Sequence, residues 1–67
     1  MDPSATYKAM YDAYYSDHDY DAVIEHADNL KAWLDKGGFP PCNITREVAY
    51  MLIRDFRGLA VVNGGVA

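Results

Sequence analysis

The stretch Trp33 to Pro41, WLDKGGFPP, limits more than any other what this chain can fold into. A helix arriving from the N-terminal side meets two glycines, the residues that most easily adopt the left-handed conformation ending a helix. It then meets two prolines, which lack the N–H needed to continue one. Whatever is helical before Gly37 is therefore a separate rod from whatever is helical after Pro41. With Gly38 as the left-handed residue, Phe39 lands where the chain folds back on Leu34, and the reading places Phe39 in the core.

Periodicity fills in both sides of the break. Upstream, Val23, Ile24, Ala27, Leu30 and Leu34 repeat at the helical spacing, with Glu25, Asp28, Lys31 and Asp35 mostly opposite and Trp33 widening the apolar face. This predicts an amphipathic helix over about 20–36. Earlier still, Tyr7, Met10, Tyr11 and Tyr14 share one face and predict a helix over about 5–15, with Ser4 as its cap and Pro3 just outside. A helix that short is marginal by itself and needs packing to persist. Downstream, Ile44, Val48, Met51, Leu52, Phe56 and Leu59 form one face, with Ala49, Ile53 and Ala60 beside it. The expected helix covers about 44–60, capped by Asn43 or Thr45. Its polar strip, Arg46, Tyr50, Arg54 and Arg57, is narrow, so this third helix is expected to be central, touching both others or a second copy. Gly58 weakens it by about 1 kcal/mol relative to alanine. The helix either ends there or continues through it into Leu59 to Asn63; the alternative, with Val61 and Val62 before Asn63-Gly-Gly, is a flexible or extended tail over 61–67. The fold class is all-α, a single three-helix domain of residues 1–67.

A domain of 67 residues buries only ~60% of the surface its unfolded chain exposes. The common reinforcements are missing, since the lone Cys42 cannot close an internal disulfide and no Cys/His spacing offers a structural zinc site. Half of the residues are hydrophobic and six are tyrosine, more apolar surface than one short chain readily hides. Self-association as a helical homodimer is the expected remedy. The N-terminus has no basic head followed by an apolar run, and no segment approaches the ~20 apolar residues of a membrane span. A cytoplasmic protein without membrane contact is expected.

Charge is divided unevenly. Residues 1–30 hold seven acids and one base, net −6, whereas residues 31–67 hold five bases and three acids, net +2. The N-terminal half is thus unsuited to direct nucleic-acid binding and suited to a basic protein partner. Its densest part is the alternation Asp17, Asp19, Asp21. Counted as an EF-hand loop from Asp17, it offers Asp17, Asp19, Asp21, the Val23 carbonyl, Glu25 and Asp28 at the ligand positions. Ala22 occupies the place of the obligatory glycine, however, and Asp28 that of the bidentate glutamate, while residues from Tyr20 onward already follow a helix. Capping explains the acids better: Asp19 accepts from an orphan N–H and Asp21 faces the positive end of the helix dipole.

No catalytic constellation is evident. Cys42 lacks a paired base, His18 and His26 are eight residues apart rather than four, and the glycines near the C-terminus precede no helix. The expected function is a non-enzymatic interaction module or accessory subunit, without cofactor or metal, presenting an acidic, tyrosine-bearing surface of Asp12, Tyr15, Asp17, Tyr20, Glu25 and Asp28. Two alternatives follow. One is an acidic inhibitor of the phage type that places carboxylates where nucleic-acid phosphates would lie. The other is a metal-binding protein or enzyme whose site forms between subunits from His26, Cys42 or the aspartates.

Overall fold

Three side chains start the three helices. Asp2 accepts from the backbone N–H groups of Ser4 and Ala5 at 3.0 and 3.3 Å, Asp19 from Ala22 at 3.2 Å, and Thr45 from Val48 at 3.1 Å. Each satisfies a donor that the first turn leaves without a partner. In the computed structural model, which describes residues 2–64, the helices are α1 (Pro3–Tyr15), α2 (Tyr20–Asp35) and α3 (Arg46–Val62). The domain is all-α, as the periodicity predicts. Ser4 is not the cap of α1: the helix starts earlier, with Pro3 in the first turn where its missing N–H costs nothing. Ser4 Oγ is thereby free to accept from the Cys42 N–H at 3.0 Å, which ties the beginning of α1 to the loop before α3.

The end of α2 corrects a second expectation. Gly37, at φ +91°, is the left-handed residue rather than Gly38. Its N–H donates to the Leu34 carbonyl and that of Gly38 to the Trp33 carbonyl, both at 3.0 Å, which is the Schellman arrangement. Shifting the terminator by one residue swings Phe39 out of the core. It is 63% exposed and stands edge-on to Trp33, with ring centres 5.6 Å apart, while the Trp33 indole N–H donates to the Phe39 carbonyl at 3.0 Å. Gly38 is needed for another reason: a Cβ there would lie 2.3 Å from the Trp33 ring.

The core joins Met10 and Ala13 of α1, Val23, Ala27, Leu30 and Leu34 of α2, and Ala49, Ile53, Phe56 and Ala60 of α3. The central helix is α2, not α3; it packs along both neighbours, whereas α1 and α3 touch only sparingly. Side-chain size accounts for this. The buried alanines Ala27, Ala49 and Ala60 let α2 and α3 approach closely, while Tyr11, Tyr14, Tyr15 and Phe56 stand between α1 and α3. As a result α3 is rolled relative to its sequence-predicted face. Ala49, Ile53 and Ala60 are buried with Phe56, and Met51 and Leu59 are left 47% and 44% exposed. The helix also continues through Gly58 to Val62, so Val61 and Val62 are helical rather than part of an extended tail. Asn63 and Gly64 form a turn, and the remainder of that tail, 65–67, lies outside the described residues.

Candidate interaction surface

The flank of α3 facing α2 is closed by polar pairs. Arg57 Nε meets an Asp28 carboxylate oxygen at 3.0 Å. Two turns further along, the two oxygens of Asp35 accept separately, from Lys31 Nζ at 2.8 Å and from the Tyr50 hydroxyl at 2.5 Å. The hydrogen bond from Lys31, then that from Tyr50, holds the Asp35 carboxyl below its ordinary value. The same contacts raise Lys31 and Tyr50 above theirs, the Asp35 hydrogen bond being the first cause for each. At the start of α3, Arg46 donates to the Leu34 and Gly38 carbonyls at 2.8 and 3.0 Å. A cation thus sits at the negative end of α2, where the last carbonyls lack helical partners. Between these contacts lies an open depression of about 530 Å³ bounded by Asp28, Lys31, Tyr50, Ile53, Arg54 and Arg57. Its charged groups are already engaged, Asp28 with Arg57 and Lys31 with Asp35, or, for Arg54, lie 3.6 Å from Asp55.

The flank facing α1 is different in kind. The two helices run in the same direction: the Ser4 to Cys42 hydrogen bond joins their beginnings, and Asn63 Nδ2 donates to the Tyr14 hydroxyl at 3.3 Å near their ends. Between them Phe56 meets the rings of Tyr14, Tyr11 and Tyr15 at centroid distances of 5.7, 6.1 and 6.1 Å, and Tyr14 stands edge-on to Tyr20 at 5.7 Å. Such tilted and edge-on arrangements suit aromatic quadrupoles. The cluster is not covered. Tyr11 is 47% and Tyr15 54% exposed, and Leu59, one turn beyond Phe56 on α3, adds a further open apolar side chain. On the outer side of α1 this surface continues into a shallow depression of about 340 Å³ lined by Tyr7, Lys8, Tyr11 and Asp12. Partial burial, and after it the neighbouring Cys42, Tyr11 and Tyr15 groups, pushes the Tyr7 hydroxyl above its ordinary value.

The six residues expected to form one acidic, tyrosine-bearing surface occupy three places. Asp12 and Tyr15 belong to the outer side and end of α1, and Tyr15 is part of the open aromatic cluster. Asp17 is exposed in the turn after α1, its N–H held by the Asp12 carbonyl at 3.0 Å. Tyr20 is half-buried against the core. Glu25 is exposed on α2, and Asp28 is turned to α3 by Arg57. Asp12, Tyr15, Asp17 and Tyr20 share the end of the molecule where α1 gives way to α2; Asp28 does not join them. Of the alternating aspartates, Asp19 is the cap of α2 and Asp21 lies in its first turn. Among the described residues, no three of His, Cys, Asp and Glu converge as metal ligands would. Cys42 lies beside Ser4 at the end of the molecule where α2 terminates. His26, nine residues before Asp35, lies ~14 Å back along α2 at 1.5 Å per residue. No helix of the described residues is long and apolar enough to cross a membrane.

Met51 and Leu59 are the exposed residues that periodicity assigned to the core. Their signal was an apolar face on α3 broader than one neighbouring helix can cover. The chain matches no protein-family model, and comparison with curated proteins and with solved structures gives no match either.

Proposed function

We propose that this protein is a non-enzymatic interaction module whose working surface is the open seam between α1 and α3. The observation that carries this reading is the half-exposed aromatic cluster of Tyr11 and Tyr15 over Phe56, continued by Leu59. Tyrosines at a surface supply large contact areas with few rotatable bonds, and a hydroxyl that tolerates water at the rim. The surrounding acids, Asp12 and Asp17, favour a partner with basic groups at its margin. The nucleic-acid-mimic alternative calls for a row of uncommitted carboxylates. Here Asp19 is used as a cap and Asp28 is paired with Arg57, so the aromatic seam has the stronger support.

Photo-crosslinking amino acids placed at Tyr15 and Leu59, and for comparison at exposed Asn29 of α2 and Lys36 just after it, test the surface in cells. Discrete adducts are expected from the first two positions and not from the second two. Adducts distributed equally, or absent from the seam, would overturn the reading.

A further inference from the structure

We infer that the seam is covered by a second copy of this chain, packed about a twofold axis that crosses α1 near Met10 and Tyr11. This deepens the interaction reading above and rests on it.

Two observations point to the same chain as occupant. The first is charge. Lys8, the only base among residues 1–30, is four residues from Asp12, and both border the depression beside Tyr11. Residues four apart on a helix lie on one side of it, one turn from each other. A twofold interface must be self-complementary, so that a group i meeting j is accompanied by j meeting i. When two α1 helices cross antiparallel near residue 10, Lys8 of each copy falls opposite Asp12 of the other, and both charges gain a partner. Among the described residues neither has an ion-pair partner within the single chain. Any other alignment of two such faces leaves the pair out of register.

The second is area. Taking ~150–250 Å² for a whole large side chain, the open parts of Tyr11, Tyr15 and Leu59 come to on the order of 300 Å². With Lys8, Asp12 and Leu52 at the margins, the face has the size of a small interface, below the ~800 Å² that each partner contributes to a standard one. A domain this small gains from such a contact, having neither a disulfide nor a structural metal cluster among its described residues.

The test is sedimentation equilibrium of the full chain, with Lys8→Glu, Asp12→Lys and the double variant. Both positions lie on the outer side of α1, and circular dichroism confirms that each variant keeps its helices. The native chain is expected to be dimeric at micromolar concentration. Each single reversal turns two attractions into two repulsions and should weaken association about tenfold. The double variant, and equally a one-to-one mixture of the two single variants, should return to within about threefold of native affinity. A native chain that stays monomeric at millimolar concentration overturns the inference, as does a double variant or mixture no tighter than the singles. A monomer that still crosslinks to another protein through Tyr15 and Leu59 overturns this inference alone. A monomer without such crosslinks overturns the interaction reading as well.

Discussion

The two flanks of α3 are built from different chemistry. Towards α2, small side chains bring the backbones close and the rim is sealed by Asp28 with Arg57 and by Asp35 with Lys31 and Tyr50. Towards α1, large rings hold the helices apart and the rim is apolar and open. A polar rim is satisfied by water as readily as by a partner, so the α2 flank is complete in one copy. An apolar rim is not, and the free energy still obtainable by burial is concentrated on the α1 flank. What distinguishes an internal contact from a binding surface here is therefore the character of the margin more than that of the centre, since Ile53 and Phe56 are both buried.

The most severe way to break this contrast is Phe56→Ala, which removes the floor of the open flank and leaves the polar pairs untouched. The expected loss is about 3 kcal/mol in urea unfolding at fixed protein concentration. A loss below about 1 kcal/mol would mean that the ring is not integral to the core. Next comes the corner that precedes the closed flank. Gly38→Ala drives a Cβ into the Trp33 indole and should destabilise by about 2 kcal/mol, as overpacking does. Gly37→Ala, at positive φ but with open space around it, should cost about 1 kcal/mol from conformation alone. Finding Gly37 the more sensitive of the two would show that close packing of Trp33 is not what selects Gly38.

The polar rim is weaker and depends on pH. Because the folded Asp35 carboxyl is held low, its contribution is fully present above the ordinary carboxylate range and is lost as pH falls through the lowered value. Lys31 and Tyr50 are raised, so theirs is present below their ordinary values and is lost as pH rises through the raised ones. Asp35→Asn should flatten both limbs of a stability profile recorded by urea unfolding. Identical profiles for native and variant chains would remove Asp35 from the account. Smallest of all is the Asp28 and Arg57 pair, about half exposed on each side. A double-mutant cycle with Asp28→Asn and Arg57→Gln should give a coupling of about 0.5 kcal/mol or less, diminishing with added salt. A coupling well above 1 kcal/mol would make the closed flank an electrostatic contact rather than a packed one.

Much of the fold was legible because its signals are local. Asp19 and Thr45 are caps as their sequence contexts suggest, and the break after Asp35 is where glycine and proline chemistry demands it. The errors are also local in origin. Ser4 and Asp2 compete for the same N–H groups, and Asp2 accepts two of them. Gly37 and Gly38 are adjacent candidates for one left-handed position, and only the Trp33 ring above Gly38 separates their roles. Of the expected surface, Asp12, Tyr15, Asp17 and Tyr20 gather at one end of the molecule. Asp28 was unreadable as a partner of Arg57, because the two are 29 residues apart and meet only when α2 and α3 pack.

The sequence by itself determined the number of helices, their limits to within a few residues, and the corner between the second and third. Each of these depends on residues within one or two turns of each other. Only the tertiary structure decided which helix is central, which side of α3 is buried and where apolar surface is left over. Several faces of these helices are greasy enough to be core. The choice among them is made by how closely backbones can approach, which depends on the size of the side chains that each rod brings to the contact.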